Sequence, residues 1–195
     1  MQTSNYQKHI TRNPISRFFL QNFYTVFSSE VRKLKPVSIL DAGCGEGFTL
    51  ARLKLDKIGK RLEGIEYSSK AITLGKKLHP NVTIKKGDIY NLPYKDNSFD
   101  LVLSAEVLEH LENPDEALDE LKRVSKKYVI LSVPDEPLFT IQRFLRGRNI
   151  KKLGWHPEHI QHWSARSFKI FVEKKLQIVT LKTPLPWILV VAKKR

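Results

Sequence analysis

The stretch VSILDAGCGEGFTL, residues 37–50, decides the fold of this chain. An apolar run ends in Asp41, glycines follow at alternate positions, and the residues from Phe48 to Leu55 are compatible with a helix. This order predicts a buried strand, a tight turn and a helix start. Glycines let a ligand approach the backbone, and the N–H groups of a helix start favour a carboxylate or a phosphate. The stretch therefore predicts a ligand-binding loop, with an ordinary glycine-packed strand–helix turn as the alternative.

The composition is that of a soluble globular domain. The chain has 195 residues, of which 41% are hydrophobic and 28% are charged, and this is enough for one domain with a full core. A single cysteine, Cys44, excludes an intramolecular disulfide. The polar N-terminus lacks the apolar core of a signal peptide, and no apolar run is long enough to span a bilayer. The expected location is the cytoplasm.

The net charge of +14 is the unusual bulk property. It favours acidic partners, which are nucleic acid, an anionic membrane surface or a negatively charged metabolite; a merely solvated basic surface is the alternative. One local cluster of basic residues stands out at Arg143, Arg146, Arg148, Lys151 and Lys152. From this cluster we expect an anionic or membrane-associated acceptor molecule.

Helical and strand patterns alternate along the chain. After a loosely structured arm, residues 1–13, apolar residues recur at helical spacing from Ile15 to Phe27, which predicts an amphipathic helix ending before Pro36. Alternation of strands with helices predicts parallel βαβ units and a doubly wound α/β sheet. The predicted strands cover 37–40, 61–67, 82–86, 99–105, 128–133, 177–182 and 187–193, and the later helices 48–55, 68–78, 113–127, 138–145 and 164–175.

Two motifs carry a family resemblance. The G-x-G-x-G loop with Asp41 two residues before it resembles the first motif of the class I S-adenosylmethionine (SAM) dependent methyltransferases. The segment GDIYNLPYKDNSFDLVLSAEVLEHL, residues 87–111, closely resembles the G-D-x-x-x-L-P-F-x-D-x-S-F-D stretch of the same enzymes. The chain is identified as a member of this superfamily, similar to the type 11 and ubiquinone-pathway methyltransferases. The resemblance covers residues 36–135.

The resemblance implies a Rossmann-like, mostly parallel, seven-stranded sheet with the strand order 3-2-1-4-5-7-6. It implies a single domain over residues 1–195. Within it we expect an N-terminal arm and helix (1–35), a SAM-binding core (36–134) and an acceptor side (135–195).

The cofactor pocket is expected at the carboxyl ends of the strands. Glu66 is placed to accept both ribose hydroxyls, and Asp88 to accept the adenine amino group, with Ile89 covering the ring. An acid at such a distance from a glycine loop also occurs in dinucleotide-binding folds, so a nicotinamide enzyme is a further alternative. The predicted cofactor-binding residues are Asp41, Gly43, Cys44, Gly45, Gly47, Glu66, Tyr67, Asp88, Ile89 and Ala105.

The acceptor side is expected in two places. Glu106, Glu109 and His110 are spaced to share one face of a helix. His156, His159 and His162 lie in the loop WHPEHIQHW, residues 155–163. A base is needed only where the acceptor loses a proton, and the predicted catalytic residues are His110, Glu106 and His159.

A divalent metal is the alternative interpretation of these residues. Resemblance to the plant small-RNA 2′-O-methyltransferases would make Glu106, Glu109, His110 and His159 ligands of Mg²⁺ or Mn²⁺. Otherwise Glu109 and His110 are only a common helix end of the superfamily, and we predict no metal.

The predicted function is methyl transfer from SAM to oxygen or nitrogen of a small molecule, with anionic, lipid-linked and glycan-linked acceptors included. An RNA methyltransferase and a SAM-binding module without catalysis are the alternatives. Tight, salt-sensitive RNA binding would mark the first, and SAM affinity without turnover the second.

Overall fold

The computed structural model describes residues 3–136 and 159–195. The predicted helix 138–145, the basic cluster 143–152, Trp155 and His156 lie outside the described residues.

Seven strands in the described ranges form one sheet in the order β3-β2-β1-β4-β5-β7-β6. This confirms the predicted order. Only the pairs of β7 with β5 and β6 are antiparallel, as expected of a terminal hairpin. The strands are β1 (Ser38–Ala42), β2 (Arg61–Glu66), β3 (Thr83–Lys86), β4 (Phe99–Ala105), β5 (Ser125–Pro134), β6 (Leu176–Lys182) and β7 (Trp187–Lys194).

Helices cover both faces of this sheet. They are α1 (Ser4–His9), α2 (Pro14–Leu34), α3 (Phe48–Leu55), α4 (Ser69–Leu78), α5 (Pro114–Val124) and α6 (Ala165–Glu173), with a short 3-10 helix at Leu108–His110. Helix α5 ends earlier than predicted because Ser125 already pairs with Phe99 in the sheet.

Successive side chains of a strand point to opposite faces of the sheet, so the core has two layers. Ile39, Leu101 and Leu103 face α2, where they meet Phe23 and Phe27. Their sequence neighbours face the other way, toward α5 and α6. The central strands are therefore apolar on both faces, as buried parallel strands must be.

The expectation of a loosely structured arm is wrong for its middle. Residues Ser4–His9 form α1, whose N-cap Thr3 accepts a hydrogen bond from the Tyr6 N–H. A six-residue helix is not stable alone, so packing against the rest of the chain must hold it. Among the described residues, no helix is long and apolar enough to cross a membrane.

Candidate cofactor and acceptor site

The glycine loop connects β1 to α3 in a conformation that requires glycine. Gly43, Gly45 and Gly47 have φ of 81°, 54° and 81°, in the left-handed region that other residues adopt only with strain. The N–H groups of Gly43 and Cys44 both donate to the carbonyl of Ile65, at 2.8 and 3.0 Å. This bond pair fixes the loop to the end of β2, which is where the sequence places Glu66.

Glu66 is held in place by backbone donors. One carboxylate oxygen accepts from the Gly45 N–H at 2.8 Å, and the other accepts from the Ser68 N–H at 2.7 Å. Each oxygen retains a second lone pair. The carboxylate is thus pre-oriented at the loop and able to accept two further hydrogen bonds, as recognition of a ribose requires.

Asp41 places a second carboxylate beneath the loop. It is buried in β1, and burial together with the nearby Glu66 raises its pKa to about 7. Burial also raises the pKa of the Cys44 thiol, which packs against Gly64 and is no nucleophile. Two acids this close favour a cationic ligand, and SAM carries positive charge on its sulfonium and its amino group.

The remaining predicted cofactor residues lie at the ends of neighbouring strands. Asp88 follows β3 and accepts from the Tyr90 N–H at 3.0 Å, while Ile89 is buried beside it. Tyr67 is exposed directly after β2, and Ala105 ends β4. All ten predicted residues therefore lie on β1–β4 or directly after them; their contacts with SAM stay a prediction.

Helix α1 lies directly on the glycine loop. Asn5 donates from Nδ2 to Glu46 at 2.5 Å, and the Thr3 hydroxyl donates to the same carboxylate. A Cβ on Gly45 would come within 2.8 Å of Asn5 Nδ2. Since Glu46 is fully buried, α1 forms the outer wall of the loop.

His9 anchors the other end of α1. Its ring stacks on Phe48, the first residue of α3, with centroids 4.0 Å apart. Nδ1 lies 2.9 Å from the Asn5 carbonyl and must carry the proton, so Nε2 accepts from the Tyr24 hydroxyl at 2.7 Å. Burial lowers the His9 pKa to about 3, helped by Lys8. The imidazole is therefore neutral and structural.

Glu106 occupies the end of β4, but not on a helix as predicted. Its φ is +61°, in the left-handed region that non-glycine residues adopt with strain. Its N–H donates to the Ser132 carbonyl at 2.9 Å, and its carboxylate accepts from the Trp187 indole at 2.5 Å. These contacts to β5 and β7 turn the chain before a helix can begin. Glu106 consequently does not share a helical face with Glu109 and His110.

Glu109, His110 and His159 do come together. Potential ligand atoms of these three side chains lie within 4.8 Å of one another, and the two imidazole rings are 5.0 Å apart. The Glu109 carbonyl accepts from the N–H groups of Ile160 and Gln161, at 2.8 and 3.0 Å, which brings residues 159–161 to this point.

Glu109 is the unusual member of this cluster. Its side chain is 1% exposed, and among the described residues neither carboxylate oxygen has a hydrogen-bond partner. Burial raises its pKa well above the ordinary value, and the neighbouring Glu106 adds to the shift. An orphaned buried carboxylate beside two imidazoles fits a divalent cation. Three of the four predicted metal ligands thus fit, whereas Glu106 is engaged by Trp187.

Three contributors escaped the sequence analysis. Glu136 follows β5 and makes a short hydrogen bond with His159 Nδ1; an acid at a strand's carboxyl end is the signal that also marks Glu66. Gly75 lies inside α4, where a Cβ would come 2.7 Å from the Glu46 carbonyl, and a glycine within a helix indicates such close approach. The role of Trp187 as donor to Glu106 leaves no signal in the sequence.

Comparison with known proteins agrees with this geometry. Residues 40–133 match the family model described as a methyltransferase domain. Fold, glycine loop and this match together define the class: the chain carries a class I SAM-dependent methyltransferase domain.

Individual relatives are more distant. Norajmaline N-methyltransferase of Rauvolfia serpentina is 36% identical over 97 residues, which cover 47% of this chain and 33% of that protein. The chain spans between about a third and a half of the length of such curated relatives.

Solved structures show the same fold. A Pyrococcus horikoshii protein has a TM-score of 0.75 at 15% identity and covers 100% of both chains. Magnesium protoporphyrin IX methyltransferase from Synechocystis, solved with bound S-adenosylhomocysteine (SAH), has a TM-score of 0.70 at 19% identity and covers 99% of this chain and 95% of its own.

Proposed function

We propose that this protein transfers the methyl group of SAM to a nitrogen or oxygen of a small-molecule acceptor, and that the acceptor binds between Glu106 and His110. The observation that carries the proposal is the Glu106 carboxylate, which a strained backbone and the Trp187 indole hold at the carboxyl end of β4. Strained residues cluster at active sites, and the indole bond at a strand's carboxyl end distinguishes Glu106 from Lys35 and Lys57, whose positive φ values occur at helix ends.

The glycine loop lies close to Glu106, because Gly43 packs against the residue that follows Glu106. A Cβ on Gly43 would come within 2.5 Å of Val107, the residue after Glu106. Methionine held at the loop therefore lies next to the acid. SAM, when bound, supplies an electrophilic methyl group and a good leaving group. The protein must mainly align the acceptor with that methyl group.

The described acids and imidazoles supply the proton chemistry. An amine or hydroxyl acceptor forms its bond to the methyl carbon with a lone pair, the carbon–sulfur bond breaks, and the acceptor N–H or O–H proton must leave. Glu106 accepts that proton, and burial, which raises the pKa of its carboxyl above the ordinary value, makes it a stronger base. His110, on the neighbouring 3-10 helix, is the second candidate acceptor of the proton, and Glu136 orients His159 behind it.

The proposal is tested with radiolabelled SAM and fractionated small-molecule extracts, after SAM affinity has been measured by calorimetry. Glu106→Gln is expected to keep the SAM Kd and to lower turnover about 100-fold or more, the usual range for a lost general base. The matched control is Glu112→Gln, an exposed acid nearby, which should leave both quantities unchanged.

Two outcomes would contradict this function. SAM binding with no labelled product in any fraction would make the protein a SAM-binding module. Label found only in RNA would overturn the small-molecule acceptor.

A second candidate, a metal-assisted reaction on a hydroxyl acceptor, is favoured by the orphaned Glu109 carboxylate. We propose that Glu109, His110 and His159 hold a divalent cation that would lower the pKa of the hydroxyl. Addition of MnCl₂ should raise the melting temperature of the wild type and not of Glu109→Gln. Equal melting curves with and without Mn²⁺ would contradict the cation site.

A further inference from the structure

The first two turns of α2 carry an apolar surface that the described chain does not cover. Phe18 is 69% exposed and Ile15 is 55% exposed. They are three residues apart and so share one face of the helix. Ile10, just before α2, is also exposed. The fully buried residues of α2 all come later, from Phe23 onward.

Basic residues flank this apolar surface, and no acid among the described residues forms an ion pair with them. Arg12 and Arg17 are exposed, and neither forms an ion pair with a described residue. The first acidic residue of the whole sequence is Glu30. We call Ile10, Arg12, Ile15, Arg17 and Phe18 the corner patch; it is apolar at its centre and cationic at its rim.

Stability of the helix does not explain this composition. The first turn of α2 contains no acid, although the helix dipole favours Asp or Glu there and disfavours Arg. An exposed Phe likewise contributes little to folding. A partner outside the described chain accounts better for both features.

The corner patch lies on the cofactor side of the molecule. Helix α2 has 21 residues and leads into the start of β1. It is about 30 Å long at 1.5 Å per residue, whereas the five residues of β1 span about 17 Å. Phe23, in the third turn of α2, contacts Trp187, whose indole donates to Glu106 at the carboxyl end of β4. The turns before Phe23 therefore extend beyond that edge, and α1, which precedes them, rests on the glycine loop.

From these observations we propose that the corner patch docks the protein onto an anionic phospholipid bilayer. Ile15 and Phe18 insert at the level of the headgroups, as the apolar face of an interfacial helix does, and Arg12 and Arg17 pair with lipid phosphates. The docked protein presents its cofactor edge to the membrane. An aliphatic residue beside the arginines favours lipid over RNA, because bases stack on aromatic rings and gain little from Ile15.

The test is co-sedimentation of the full chain with vesicles of phosphatidylcholine alone and of phosphatidylcholine mixed with phosphatidylglycerol. The wild type should bind the mixed vesicles more tightly. Arg12→Glu/Arg17→Glu should weaken that binding roughly twentyfold or more, since each cation near an anionic surface contributes about fivefold. Ile15→Ser/Phe18→Ser should weaken binding roughly tenfold or more.

Matched controls separate the patch from bulk properties. Lys76→Glu/Lys77→Glu changes the net charge equally at exposed positions of α4. Leu55→Ser/Val179→Ser removes two other exposed apolar side chains, which are 77% and 51% exposed. Both controls should bind vesicles within about twofold of the wild type. Circular dichroism checks that every variant is folded.

Four results would overturn the proposal. The first is a wild type that does not sediment with mixed vesicles, and the second is patch and control variants that lose binding equally. The third is a wild type that is a dimer and that Ile15→Ser/Phe18→Ser converts into a monomer. The fourth is an arginine variant that loses RNA binding and keeps vesicle binding. Vesicle binding needs neither SAM nor an acceptor, so these results leave the proposed methyl transfer unaffected.

Discussion

The carboxyl ends of β1–β3 and those of β4 and β5 are built differently. At β1–β3, backbone groups of the glycine loop bond to Ile65 and hold Glu66. At β4 and β5, side chains from distant segments meet: Glu106 with Trp187, and Glu136 with His159. The first half is made of main chain from neighbouring elements, and the second of acids and imidazoles.

The difference indicates what each half does. A backbone-built half tolerates few changes and suits the cofactor common to the class. A half built from side chains can change acceptor by substitution, because loops carry function on a fixed scaffold. Three predictions test this division, beginning with the glycine at which the two halves touch.

Gly43→Ala should have the largest effect. The alanine Cβ would meet Val107 at 2.5 Å at a φ of +81°, so both the loop and the neighbouring Glu106 must move. We expect SAM affinity to fall about 100-fold, from strain of roughly 1–3 kcal/mol plus the displaced loop. Calorimetry measures it.

The control is Gly59→Ala, which has a φ of +78° in a turn elsewhere and whose Cβ would approach Leu62 and Ile39 at 2.9 and 3.0 Å. It should lower the melting temperature and leave the SAM Kd unchanged. If both variants bind SAM like the wild type, the two halves are not coupled through Gly43.

Asp41→Asn should have an intermediate, pH-dependent effect. The folded pKa of Asp41 is about 7, above its ordinary value of 3.8. The protonated carboxyl therefore stabilises the fold fully below about pH 4, and this contribution is lost as the pH rises through about 7. Ionised Asp41 attracts the cationic SAM. Wild-type SAM affinity should then rise about tenfold between about pH 6 and pH 8.

Asp41→Asn should abolish this pH dependence, weaken SAM binding at about pH 8 and raise the free energy of unfolding there by up to about 4 kcal/mol. Calorimetry and urea unfolding across this pH range measure both effects. The exposed Asp96 provides the control variant, Asp96→Asn. If the SAM affinity of Asp41→Asn rises with pH as much as that of the wild type, a group other than Asp41 causes the pH dependence.

Trp187→Phe should have the smallest effect, and only on the acceptor half. It removes the indole N–H that donates to Glu106 and keeps an aromatic ring beside Phe23. Loss of that bond raises the Glu106 pKa, because the bond is one of the interactions that lower it. We expect kcat to fall about fivefold and the SAM Kd to stay the same. The midpoint of the increase of kcat with pH should move to a higher pH.

Trp163→Phe serves as the comparison, since Trp163 is buried against Phe168 and Phe171. Trp163→Phe should not shift the pH dependence of kcat. An unshifted profile in Trp187→Phe would mean that the indole does not tune Glu106.

Sequence patterns predicted the strands and the glycine turn well because both depend on local rules. Alternating strands and helices fix parallel βαβ units, and the strand ends then place Glu66 and Asp88 at one edge. Helix α1 was missed because six residues have too little intrinsic helix stability to leave a pattern. Its contacts with Glu46 and Phe48 supply what the sequence lacks.

Glu106 shows the opposite failure. Its spacing to Glu109 and His110 fits a helix, but hydrogen bonds to Ser132 and Trp187 impose a left-handed residue instead. Tertiary contacts thus overrode a local pattern at the residue for which we propose the proton transfer.

The sequence by itself determined the glycine loop and the alternation of strands and helices, because glycine conformation and hydrophobic periodicity are local properties. The order of the strands and the class of the domain followed from the resemblance of its motifs to a known family. The tertiary structure alone decided which acids and imidazoles meet: Glu136 with His159, Glu106 with Trp187, and α1 with the loop. These partners are 23, 81 and 41 residues apart. Contacts over such separations depend on how the layers pack, and no local pattern encodes them.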